Sequence, residues 1–173
     1  MRPRTRPFGI VAARWNETIT NGLVEGALRA LEEAGQPEPL VVWATGSWEI
    51  PLLAQSLIEK RGVVAVAALG CIFRGQTSHA ELLAREVSAA LMRIQLETRT
   101  PIAWGILTPA TKSQALARSA NTDQNRGYEA VVAALESVEA LRAIPTLKAS
   151  QRMKRSRKTV LPAPQLKRPA RRR

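Results

Sequence analysis

His79 is the only histidine in this chain of 173 residues and Cys71 the only cysteine. Proton transfer and nucleophilic chemistry near neutral pH therefore have few places to sit. His79 lies in the stretch FRGQTSHAE that begins at Phe73. There Gly75 permits a tight turn, Ser78 is a residue type that N-caps helices, and Glu81 stands three positions later to complete a capping box. This spacing predicts a helix with His79 in its first turn, beside a strand end, as the candidate for proton transfer. The bland reading is that a lone histidine merely decorates a helix start. Free backbone N–H groups from Gln76 to Ser78 would form a cradle for an anion. Arg118 and Arg126 are candidate partners for the same anion through forked guanidinium bonds, or else solvated surface residues. Glu49 falls in the first turn of another predicted helix, where it either caps or accepts hydrogen bonds from ligand hydroxyls. Cys71 sits inside an apolar run without an adjacent base and is expected to be inert. The chain has no GxGxxG, no Walker loop and no HExxH, so dinucleotide, nucleoside-triphosphate and zinc-protease readings lose their support. One cysteine and one histidine cannot build a cluster of zinc ligands.

These residues need a frame, and four short apolar runs supply it: FGIVAA from Phe8, LVVWA from Leu40, VVAVAALGCI from Val63 and PIAWGIL from Pro101. Being continuously apolar, they read as strands covered on both faces, as in a parallel sheet between helical layers. Helical patterns lie between them at residues 17–34, 49–60, 79–97 and 128–143, the first ending at Gly35 as a C′ residue. Strands alternating with crossover helices predict an α/β sandwich with its ligands at the carboxyl ends of the strands. The segments there are ARWNE, TGSWEIP, FRGQTSHAE and the stretch from Trp104 to Thr108. Trp15, Trp48 and Trp104 fall in or beside them, while Trp43 lies within the second strand. Three large flat side chains suit stacking on a planar ring, with plugging of a sheet edge or subunit interface as the alternative.

The charge is unevenly spread. The chain carries 26 Lys plus Arg against 14 Asp plus Glu, a formal +12 that by itself points to nucleic acid. Eleven of the basic residues, and no acidic one, lie from Pro145 to Arg173, and Arg2, Arg4 and Arg6 add three at the other end. Residues 7–144 hold 12 basic and 14 acidic groups, so the body is not basic. This divides the chain into a basic arm at 1–7, one domain at 8–144 and a basic tail at 145–173 whose composition predicts disorder. A single cysteine excludes an intrachain disulfide framework and suits a reducing, cytoplasmic setting. No apolar run approaches ~20 residues and the start lacks an apolar leader core, so a soluble, unexported protein without a membrane partner is expected.

The combination GSWEIP, ALGCIFRGQTSHAELLAREVSAALMRIQLET, PIAWGILT and NRGYEA, in this order and spacing, resembles the 6,7-dimethyl-8-ribityllumazine synthase family. The likeness runs from about Phe8 to Ile144, and RG-x-T-x-H after an ALG strand end is its most specific part. The resemblance implies a flavodoxin-like αβα sandwich with a four-stranded parallel sheet, assembled into pentamers and in many members into hollow sixty-subunit shells. It implies condensation of 5-amino-6-(D-ribitylamino)uracil with 3,4-dihydroxy-2-butanone 4-phosphate, releasing phosphate and two waters, without cofactor or metal. Carried over, Trp15 matches the aromatic stacked on the pyrimidine. Ser47, Trp48 and Glu49 match the segment holding the uracil and ribityl chain, and Cys71, Ile72 and Phe73 the stretch along the ring. Gln76 and Thr77 match the phosphate-binding turn, His79 the proton-transfer residue and Arg118 the phosphate-binding arginine. Trp104 matches an aromatic supplied by the neighbouring subunit, and Arg126 stands where lysine is common. The family usually has phenylalanine at positions 15 and 104 and phenylalanine or tyrosine at 48, so all three aromatics are enlarged here. SANTDQ replaces a glycine-containing linker, and the tail is outside the family pattern. The alternative is a shell-forming or polyanion-binding protein that keeps the fold, has lost the activity and works through its tail.

Overall fold

The computed structural model describes residues 6–75 and 78–145. Most of the basic arm and tail, together with Gln76 and Thr77, lie outside the described residues. All four apolar runs contain strands: β1 (Gly9–Ala13), β2 (Leu40–Ala44), β3 (Val66–Cys71) and β4 (Ile102–Leu107). They pair in parallel in the order β2-β1-β3-β4. The intervening helices are α1 (Glu17–Glu33), α2 (Ile50–Arg61), α3 (His79–Thr98), α4 (Lys112–Ser119) and α5 (Arg126–Ala143), with a short 3₁₀ turn, Ser47–Glu49, before α2. This is the α/β architecture that the sequence predicts, with α4 as the additional helix before α5. Gly35 follows α1 at φ 63°, the left-handed C-terminal position expected of it.

Alternation along the strands feeds two cores. Ile10, Ala12, Ala67, Leu69 and Leu107 face α1, α4 and α5; Val11, Ala13, Val66, Ala68 and Ile106 face α2 and α3. Each central strand is buried on both sides, which is why these runs carry no polar residue. The expectation of two covered faces fails for β2. Leu40 and Val42 pack toward the α2–α3 layer, but Val41 and Trp43 are more than one-third exposed. The cause is position: β2 is an edge strand, and α1 packs over β1 and β3. Among the described residues no helix is long and apolar enough to cross a membrane.

The α4–α5 corner is fixed to α1 by Asn125, a fully buried polar side chain. Its Nδ2 donates to the carbonyls of Gly22 at 2.9 Å, Ser119 at 3.0 Å and Ala120 at 2.9 Å. Its Oδ1 accepts from the N–H groups of Gly127 at 2.8 Å and Tyr128 at 3.2 Å. Three glycines make room: a Cβ at Gly22 would meet the Ser119 carbonyl, one at Gly26 the Asn125 amide, and one at Gly127 the Leu23 carbonyl. The adjoining loop is clamped by Arg29, which donates to Thr122 O at 2.9 Å and lies 4.9 Å from the Tyr128 ring centroid. Removing the Asn125 amide leaves buried backbone groups unpaired at about 1–3 kcal/mol each. Asn125→Ala is therefore expected to lower the unfolding free energy by at least ~3 kcal/mol in urea titrations. A loss below ~1 kcal/mol would show that the corner is held by other contacts.

Candidate active site

The carboxyl ends of all four strands lie along one edge of the sheet, and the strand order reverses between β1 and β3. A crevice at such a reversal is where an open parallel sheet receives its ligand. From β1 the chain passes through Arg14 and Trp15 to Asn16. Trp15 is 71% exposed, and its carbonyl accepts from the buried Thr20 Oγ1 at 3.1 Å. Asn16 donates from Nδ2 to the Cys71 carbonyl at 2.8 Å, which ties the end of β1 to the end of β3.

From β2 the chain enters the Ser47–Glu49 turn. Ser47 is buried, and it sits where a Cβ on Gly70 would come within 3.1 Å of its Oγ and 3.4 Å of the Ala13 Cβ. The glycine of ALGC thus lets the serine turn close over the central strands. Trp48 is 62% exposed beside it. Glu49 does not open α2, as its sequence position suggested. It precedes the helix, and its Oε2 accepts from the Gly46 N–H at 2.8 Å, the capping role of the two left open.

From β3 come Cys71 and Ile72, both buried, and the half-buried Phe73. Ile72 N–H donates to the Leu107 carbonyl at 2.8 Å. His79 opens α3, as the sequence predicts, and is exposed. The capping box around it does not form. Ser78 caps without a side-chain hydrogen bond, and Glu81 lies 3.2 Å from the Arg74 guanidinium instead, an opposite charge available across the turn. Gly75 does not use the left-handed region. The phosphate cradle assigned to Gln76 and Thr77 lies outside the described residues.

The remaining predicted residues lie elsewhere on the chain. Trp104 is three residues short of the β4 carboxyl end, on the free edge of the sheet and paired with Ala68. With Arg126, Gln95, Glu129 and Ala133 it lines an open groove of about 240 Å³ between α3 and α5. Arg126 is already engaged, 2.6 Å from Glu129. Arg118 is exposed in the last turn of α4. One chain therefore assembles Trp15, Ser47–Glu49 and Cys71–Phe73 at the strand ends, and holds Trp104 and Arg126 in a separate groove.

The family model for 6,7-dimethyl-8-ribityllumazine synthase matches residues 6–142. The chain belongs to this family. A 6,7-dimethyl-8-ribityllumazine synthase from Thermus thermophilus is 42% identical over 139 residues, covering 79% of this chain and 88% of that protein. Its counterpart from Saccharopolyspora erythraea is 44% identical over 137 residues, covering 78% and 82%. 6,7-dimethyl-8-ribityllumazine synthase 1 of Caulobacter vibrioides is 40% identical, covering 79% and 91%. The match takes in both the strand-end group and the β4 groove of this lumazine synthase family member.

Three residues of this frame were not read from the sequence as functional: Asn16, Gly70 and Asn125. Each is a small or short polar residue at a strand or helix boundary; Asn125 carries the local signal of a helix N-cap, but the contact each makes with a distant segment has no local pattern. Cys71 behaves as its setting predicts. Burial pushes its thiol from an ordinary 9.0 up to about 11. That difference makes the native thiolate roughly a hundredfold scarcer near pH 8 than in the unfolded chain. Iodoacetamide at pH 8 is expected to leave the folded protein unmodified by mass and to label it promptly in urea. Prompt labelling of the folded protein would contradict an inert Cys71.

Proposed function

We propose that this protein is an active lumazine synthase of riboflavin biosynthesis. It condenses 5-amino-6-(D-ribitylamino)uracil with 3,4-dihydroxy-2-butanone 4-phosphate to 6,7-dimethyl-8-ribityllumazine, phosphate and water. The observation that carries this reading is the family match over residues 6–142, which spans the strand-end group Trp15, Ser47–Glu49 and Cys71–Phe73. In this reading Trp15 stacks on the pyrimidine, Ser47, Trp48 and Glu49 hold the uracil and ribityl chain, and Cys71 to Phe73 line the ring. Glu49 keeps one oxygen on Gly46 and offers the other to a ribityl hydroxyl. Gln76, Thr77 and Arg118 take the phosphate, and Arg126 joins them from the β4 groove of a neighbouring subunit.

The chemistry passes through an imine, loss of phosphate, an enol-to-keto shift and ring closure. These steps ask for proton shuttling and a phosphate cradle more than for a strong nucleophile. His79, exposed at the start of α3, is the proposed proton carrier. Holding two reactive substrates in register supplies much of the rest, worth ~7–11 kcal/mol in favourable cases.

The separation of Trp104 and Arg126 from the strand-end group supports a site completed by a neighbouring subunit. An exposed apolar stripe on α3, formed by Leu82, Met92 and Leu96, supports the same view. We therefore read the working form as a homo-oligomer, a pentamer or a sixty-subunit shell, in the cytoplasm. No observation favours the alternative of a catalytically silent shell. The basic tail adds a second, weaker property: eleven cations on each subunit give a salt-sensitive affinity for polyanions.

Mixing the purified protein with both substrates is expected to produce lumazine absorbance above the spontaneous rate. No excess over background would end the synthase reading. His79→Ala should lower kcat by roughly 10²-fold or more without abolishing turnover. Arg118→Ala should raise KM for the butanone phosphate, and an unchanged KM would remove Arg118 from the phosphate site. For the tail, nucleic acid is expected to co-purify with the full chain at low salt and to be lost at high salt or on deletion of residues 146–173. Co-purification indifferent to both would dismiss the tail as its carrier.

A further inference from the structure

Asn16 stands in a conformation that its residue type tolerates but does not prefer. Its backbone is left-handed, at φ 61° and ψ 45°, and among the described non-glycine residues only Arg99 shares a positive φ. Glycine is the default at such a position. Asparagine is also a favoured helix N-cap, and Asn16 is the N-cap of α1, yet its side chain makes no capping bond. Its carbonyl alone receives the first helical N–H groups, from Ile19 and Thr20. The amide reaches out of the helix instead, to the Cys71 carbonyl.

That carbonyl marks the point where the two central strands part. Beyond Ala13 the β1 backbone turns toward β2, with Arg14 N–H on the Ala44 carbonyl, while Ile72 at the end of β3 binds Leu107 of β4. Asn16 therefore bridges the ends of β1 and β3 at the reversal in strand order, the place where the topology of an open parallel sheet puts its ligand. The neighbouring Trp15 ring is largely exposed, so packing within the chain does not aim it. Its direction is set by its backbone, held by Thr20 Oγ1 on one side and by the Asn16 tether on the other.

We infer that Asn16 is a positioning residue for the pyrimidine substrate: by tying the backbone that carries Trp15 to the Cys71 carbonyl, it fixes where Trp15 stands relative to Cys71–Phe73. This rests on the synthase reading above. It concerns the pyrimidine and leaves the phosphorylated substrate untouched.

Asn16→Gly keeps the left-handed turn and removes the tether, whereas Asn16→Asp keeps the shape and sets a carboxylate against the Cys71 carbonyl. Calorimetric titration with 5-amino-6-(D-ribitylamino)uracil and with inorganic phosphate, alongside Tm and wild-type turnover, separates the outcomes. For Asn16→Gly the pyrimidine Kd is expected to rise about tenfold, the scale of one hydrogen bond, with Tm and phosphate Kd little changed. Asn16→Asp should weaken the pyrimidine further, and it serves as the second variant if the glycine protein does not fold. Unchanged pyrimidine affinity, or equal weakening of both ligands with a lower Tm, would overturn the inference. If the wild type neither binds the pyrimidine nor turns over, the synthase reading itself fails; if the wild type works and both variants match it, only the role of Asn16 fails.

Discussion

The fold turns on a single buried amide. Asn125 ends α4 through the carbonyls of Ser119 and Ala120, starts α5 through the N–H groups of Gly127 and Tyr128, and bonds α1 through Gly22. One side chain thus satisfies backbone groups from three helices, each of which would otherwise be stranded away from water. The fit depends on Gly22, Gly26 and Gly127, because a β-carbon at any of them collides with backbone or with the amide. Specificity follows from this geometry: apolar side chains can repack at modest cost, but an amide that uses both ends has only one arrangement. Arg118 and Arg126 flank the corner, so the placement of both proposed anion-binding residues is inherited from it.

The sequence made the frame legible because local signals determine it. Continuous apolar runs gave the strands, period-3.6 stripes gave α3 and α5, an Ala-, Leu- and Glu-rich stretch stopped by Gly35 gave α1, and the alternation of strands with helices gave a parallel sheet. It was less informative where coverage depends on neighbours. LVVWA reads as a doubly buried strand, yet Val41 and Trp43 remain exposed because β2 ends the sheet and α1 packs over β1 and β3 instead. The SHAE spacing reads as a capping box, yet Glu81 finds Arg74 instead, a competition no local pattern encodes. Asn125 was visible only as part of a family motif. Nothing in the spacing of SANTDQNRG says that its amide meets a carbonyl more than one hundred residues earlier.

The candidate site shows the same division. Position in chain order marked Trp15, Trp48 and His79, since each follows the end of a strand. Trp104 needed the sheet itself to be understood: in sequence it belongs to a strand-end segment, whereas in space it faces a groove on the open edge of β4. Exposure of Trp15 and Trp48 has an energetic meaning in this setting. Aromatic surface left in water stabilises nothing in the single chain, and at ~25 cal/mol per Å² it is free to contribute when a ring or a neighbouring subunit covers it. The same holds for Leu82, Met92 and Leu96 along α3. Apolar surface that an isolated domain leaves uncovered is surface available to the proposed assembly and substrate binding.

Asn16 and Asn125 show how one residue type serves opposite ends of this design. Asn125 is wholly enclosed and acts on the scaffold, so its loss should be felt as stability. Asn16 lies at the rim, in a backbone conformation open to glycine, and spends its amide on a bridge between two strand ends. Glycine would satisfy the turn but leave the ends of β1 and β3 untied at the strand reversal. A left-handed asparagine accepts a small conformational cost for that bond, and such a cost is retained where the surrounding geometry, rather than the turn alone, requires the side chain. Strain-tolerant polar residues at a strand reversal are thus the signal that strand and helix periodicity does not carry, and the most direct physical link here between the backbone and the proposed chemistry.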